Sequence, residues 1–93
     1  MSWTHEAVLA ELRGVIVQHT DAKADLTETT ELVGDLGIDS LGVMEVVADV
    51  EDKFELTIAD AELRDVATLG DVARAIETRL RADGRLAEAG PRA

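Results

Sequence analysis

The sequence predicts a small all-α protein, a bundle of three longer helices and one short third helix with a long first loop. Three observations predict it. Apolar residues recur at helical spacing in three separate segments. The only proline stands at position 91, so no helix breaker of that kind interrupts the body. With 93 residues, 46% of them apolar, the chain suffices for one domain around one modest core. Trp3 and Phe54 are its only aromatics, so that core must be aliphatic.

Thr4 or Ser2 can cap the first helix, with Glu6 in the favoured first turn. Val8, Leu12 and Val15, flanked by Leu9 and Ile16, repeat along it until the pattern stops near His19-Thr20-Asp21. Residues 20–39 have no clear period. A loop of that length in a compact domain is usually functional. Leu26, Leu32, Val33, Leu36 and Ile38 should pack from it, and Gly34 and Gly37 are expected at positive φ. The second helix is expected from Ser40 to Lys53. A short connection follows, with Leu56 and Ile58 inward, then a brief helix capped by Asp60 and ending near Arg64. Thr68 or Asp71 opens the last helix, whose Leu69, Val72, Ala73, Ile76 and Leu80 share a face. Arg79 and Arg81 suit its C-terminal dipole, and Gly84 stops it. The domain is expected over 1–84, with 85–93 a flexible tail.

Twenty acidic residues oppose nine basic ones, a formal charge of −11. Such a field disfavours nucleic acid and anionic membrane and attracts basic protein surfaces. Between Asp35 and Asp65 stand ten acidic residues against Lys53 and Arg64, so the acidity is concentrated mid-chain. No cysteine is present, which removes disulfides, thiol nucleophiles and thiolate metal sites. The N-terminus does not read as a signal peptide, no apolar run approaches the roughly 18 residues of a membrane span, and the protein is expected in the cytoplasm. No metal site is expected. Arginine-for-lysine usage and abundant alanine fit a GC-rich bacterial gene.

The second helix carries two apolar stripes at about 100° per residue. Val43, Val46, Val47, Val50 and Phe54 form the core stripe. Leu41, Met44 and Ala48 form a narrower one pointing away, with Glu45 and Asp52 on one side and Glu51 on the other. An amphipathic helix needs only one stripe. A second, ringed by carboxylates, is what a docking surface for a basic partner would show, unless a neighbouring element covers it. At the start of this helix Asp39 or Ser40 occupies the N-cap. Capping alone explains most isolated Asp-Ser-Leu runs. A serine there also suits a phosphodiester, because free N–H groups and the positive dipole end stabilise added negative charge.

Leu36-Gly37-Ile38-Asp39-Ser40-Leu41, then Met44-Glu45 and Phe54, resembles the attachment motif of acyl carrier proteins, and the likeness extends from about Glu6 to Leu80. The resemblance implies the four-helix acyl-carrier fold and a non-catalytic carrier. Ser40 would be esterified by 4'-phosphopantetheine from coenzyme A, added by a phosphopantetheinyl transferase, and the arm's thiol would hold an acyl chain as a thioester. It implies a partner face of Asp39, Leu41, Met44, Glu45, Ala48, Glu51, Asp52, Ile58 and Asp60, met by a ketosynthase, acyltransferase or other acyl-processing enzyme. Val47, Phe54, Ile58, Leu63 and Val66 would line an acyl cavity, and the carrier is expected to be a monomer. Gly42 and Lys53 stand where many fatty-acid carriers have acidic residues, and Ala59 replaces a common proline. Those departures and the composition point to a stand-alone carrier of bacterial polyketide or related natural-product synthesis, with a fatty-acid carrier and a peptidyl carrier as alternatives. Outside the class stand an unmodified helical interaction module and a hydrolase with a Ser40 nucleophile. The hydrolase lacks a usable base, since His5 and His19 both lie at the first helix.

Overall fold

In a computed structural model, residues 3–20 and 26–86 are described. Four helices follow in chain order: α1 (His5–Ile16), α2 (Ser40–Phe54), α3 (Asp60–Leu63) and α4 (Leu69–Ala82). α1 packs against both α2 and α4, and α3 rests on α4.

The starts of α1, α2 and α4 are set by side-chain caps. Thr4 Oγ1 accepts from Ala7 N at 3.1 Å, and Asp39 Oδ1 from Gly42 N at 2.7 Å. At α4 the cap is reciprocal. Thr68 Oγ1 accepts from Asp71 N at 3.1 Å, and Asp71 Oδ2 accepts from the N–H groups of Ala67 and Thr68, each at 3.0 Å. Those backbone bonds hold the Asp71 carboxyl below its usual range. The expected cap at Asp60 is corrected. Ala59 holds the N-cap position, Asp60 lies inside the first turn, and Glu62 Oε1 accepts from Ala59 N at 3.4 Å.

The core is aliphatic around one aromatic pair. Val8, Leu12, Ile16, Val46, Val50, Phe54, Leu69, Ile76 and Leu80 are fully buried. Trp3 packs on Phe54 with ring centroids 4.5 Å apart. Trp3 N donates to Arg85 O at 2.8 Å, and the Arg85 guanidinium donates to the carbonyls of Phe54 and Glu55. Arg85 and Leu86, expected at the head of the tail, therefore belong to the packed body; residues 87–93 lie outside the described part.

The first loop is tied down along its second half. Leu69 N donates to Thr30 O and Gly70 N to Glu28 O, both at 2.8 Å, and Leu32 N to Ala67 O at 3.0 Å. A Cβ on Gly70 would stand 2.8 Å from the Glu28 carbonyl oxygen, so glycine is what lets the loop lie on the start of α4. Leu32, Leu36 and Ile38 are buried as expected. Val33 is not; it is 60% exposed, because the turn at 32–36 points it outward. Gly37 has φ +70, whereas Gly34 is not at positive φ, a correction to the sequence expectation.

Candidate functional site

The loop delivers the chain to α2 through three residues. Gly37 takes the left-handed turn at the end of a hydrogen-bonded segment. Ile38 turns inward at 4% exposure, anchoring the end of the loop in the core. Asp39 is extended, φ −79 and ψ 179, and caps the helix. Ser40 is thus the first helical residue and not the cap, which resolves the ambiguity in the sequence. Its side chain is exposed. Among the described residues nothing bonds its hydroxyl; the Asp39 carboxylate takes the Gly42 N–H, and the Asp39 backbone carbonyl takes the Val43 N–H. The N–H groups of Ser40 and Leu41 point from the first turn without an acceptor among the described residues. The arrangement is an exposed hydroxyl at the positive end of a 15-residue helix, suited to an added anion.

Gly42 has a local reason. A Cβ there would stand 2.6 Å from Ile38 Cγ2 and 3.2 Å from the capping oxygen of Asp39. Glycine lets the buried Ile38 and the Asp39 cap close on the same turn.

Beyond Ser40, the second stripe of α2 is bare. Leu41 is 66% and Met44 68% exposed, and Ala48 is exposed beside them. Glu45 and Asp52 border the stripe in solvent. Glu51, expected among the free acids, is partly engaged: its Oε2 accepts from Ile58 N at 2.9 Å and fixes the connection to α3. Asp60 is exposed and Ile58 is 3% exposed, so Asp60 offers a charge where Ile58 offers only an edge.

A groove of about 220 Å³ runs between α2 and α3, lined by Met44, Val47, Ala48, Glu51, Ile58, Asp60 and Leu63. It brings together three of the five residues expected around a cavity, Val47, Ile58 and Leu63. The other two lie elsewhere. Phe54 is fully buried against Trp3, and Val66 lines a separate groove between α3 and α4 with Glu62, Asp65 and Arg74.

Several functional contacts left little trace in the sequence. His19, just past the end of α1, reaches α2. Its Nε2 lies 2.7 Å from Asp49 Oδ2, and its Nδ1 lies 3.9 Å from Glu45 Oε1. Lys53 pairs with Glu11 of α1 at 3.5 Å and so faces away from the exposed stripe, which it does not neutralise. His5 bonds Glu77 of α4 and, at 3.3 Å, Glu28 of the loop. Those two acceptors, Glu77 foremost, raise its pKa above the ordinary 6.5. Only the pairing of acids and bases across a known topology would have found these. Among the described residues no group of three or more His, Asp or Glu is placed to hold a metal ion, and no helix is long and apolar enough to cross a membrane.

Comparison with known proteins bears on the family of the chain. A sequence model described as the phosphopantetheine attachment site matches residues 10–76. An acyl carrier protein of an Exiguobacterium species is 40% identical over 78 residues, covering 83% of this chain and 99% of that protein. One from Wolinella succinogenes is 40% identical over 73 residues, covering 77% of this chain and 96% of its own length. Among solved structures, one from Mycobacterium tuberculosis, provisionally assigned as an acyl carrier protein, superposes with a TM-score of 0.73 at 26% identity. That match covers 77% of this chain and 97% of the other.

Proposed function

Because the chain belongs to the acyl carrier proteins, non-catalytic carriers with covalently attached 4'-phosphopantetheine, we propose that Ser40 is where its arm is attached. The observation that carries this is the division of labour at the helix start. Asp39 does the capping, and Ser40 keeps an exposed hydroxyl beside two N–H groups that have no acceptor among the described residues. The chain has one other serine, Ser2, outside the described residues. In transfer from coenzyme A, the Ser40 oxygen attacks the β-phosphorus of the pyrophosphate. A phosphodiester forms, the P–O bond to the adenosine 3',5'-bisphosphate breaks, and the serine proton leaves to solvent or to a base of the transferase. The new negative charge lies at the N-terminus of α2, where the dipole favours it.

Phosphopantetheinyl transferase and acyl-processing enzymes are partners of this family in general. On this chain we assign them the face of Asp39, Leu41, Met44, Glu45, Ala48, Asp52 and Asp60, exposed and acidic as a basic partner with an apolar pocket requires. The α2–α3 groove is the place for the first carbons of a cargo. We place the carrier in the cytoplasm, as a monomer, in bacterial polyketide or related natural-product synthesis; Gly42 and the composition support that pathway. The pairing of Lys53 with Glu11 supports a fatty-acid role instead, since it leaves the acidic face intact. Loaded protein offered to a fatty-acid ketosynthase distinguishes the two: turnover matching a known fatty-acid carrier favours the second.

The test of attachment is intact mass before and after incubation with coenzyme A and a broad-range transferase. One phosphopantetheine is expected on the wild type and none on Ser40→Ala. No gain under conditions that load a known carrier would overturn the proposal.

A further inference from the structure

We propose that His19 is a specificity-setting residue of the docking face: from the end of α1 it holds Asp49, stands beside Glu45, and so withholds part of that carboxylate edge from a basic partner. The inference rests on the docking role assigned above to α2.

The geometry is one-sided. His19 stands three residues past the end of α1, and its side chain is 17% exposed, whereas Asp49 and Glu45 are 51% and 60% exposed. The 2.7 Å contact of Nε2 with Asp49 has a carboxylate on one side, so the imidazole is the donor. On the helical wheel Asp49 and Glu45 lie successively closer to the stripe of Leu41, Met44 and Ala48, and Lys53 lies further round beside its Glu11 partner. On the flank of α2 that faces α1, Asp49 is therefore held by His19, and Lys53 is turned to Glu11. Asp52 and Asp60 have no side-chain cation among the described residues. His19, Glu45 and Asp39 also line one open cleft beside Ser40, with Gly37, Ile38 and Gly42. A partner's arginine or lysine that reaches for Glu45 must compete with His19, and one that reaches for Asp52 need not.

The consequence is a carrier whose hold on a basic partner is weaker on the α1 side than its acid content suggests. Removing the imidazole that holds Asp49 should strengthen docking, and a permanent cation in its place should weaken it.

The experiment measures transferase kinetics with the full chain for wild type, His19→Gln and His19→Lys, with helicity checked for each. KM is expected to be lowest for His19→Gln and highest for His19→Lys, separated by about two- to fivefold, with kcat unchanged; this is the range of a surface ion pair. The difference should shrink in high salt. Equal KM for the two variants, or the reverse order, would overturn the role of His19. A wild type that accepts no phosphopantetheine at all would instead overturn the attachment reading. A purely structural role for His19 would lower thermal stability in both variants without separating their KM values.

Discussion

Ser40 owes its free hydroxyl to Asp39. In most helices an exposed serine at this point would be the cap, but the carboxylate one residue earlier takes the Gly42 N–H at 2.7 Å. Removing that carboxylate should cost about 1 kcal/mol of stability, as loss of an N-cap does. It should also invite Ser40 to cap in its stead. Asp39→Ala is thus expected to lower the denaturant midpoint and, separately, to slow loading at Ser40; unchanged loading would show that the free hydroxyl needs no help from Asp39. That the Asp39-Ser40-Leu41 run opens a helix was legible in the sequence, because capping chemistry and dipole direction are local. Which residue capped was not, since it depends on how Gly37 and Ile38 bring the chain in. Nor was the steric demand on Gly42, which comes from a side chain four residues earlier folding back.

α2 was read correctly as a helix with two apolar stripes, because burial of one face and exposure of another follow from its 3.6-residue period. Its ends were less legible. At the C-terminus Glu55 adopts a left-handed φ of 55, and Arg85 holds the carbonyls of Phe54 and Glu55 from thirty residues away. A Cβ in that conformation costs about 1 kcal/mol, so Glu55→Gly is expected to raise the melting temperature despite the flexibility of glycine. A fall would mean that the Arg85 contacts already offset the strain. On the exposed face, Glu45→Lys should raise the KM of a basic partner about tenfold, ~1.4 kcal/mol, and leave the helical content unchanged. The cavity residues were the least legible part. Val47, Ile58 and Leu63 share a groove, but Phe54 was taken by Trp3 and Val66 turned to the α4 side. Sequence spacing places residues on a helix face and does not say which neighbour reaches that face first.

Across the whole molecule, a few of the acidic residues tie elements together. His5 joins α1 to α4 through Glu77 and to the first loop through Glu28. Its pKa is raised above 6.5 by those bonds, so their contribution to stability is complete below about that pH and is lost as pH rises through the raised value. The melting temperature should therefore fall as pH rises above about 6.5, and His5→Gln should flatten that fall; an identical pH profile would remove His5 from the seam. Asp71 works at the other end of the scale. Its lowered pKa adds stability above about 3.8 that disappears only as pH drops through the lowered value. The bundle class, helix order and acidic midsection could be read from composition and period. The cross-links of His5, His19 and Arg85 could not, because each joins residues distant in sequence. The central claim, an arm on Ser40, is tested most directly by fragmenting the peptides of the loaded protein in the mass spectrometer. Fragment ions should place the phosphopantetheine on Ser40 alone; an adduct on Ser2 or on any threonine would contradict it.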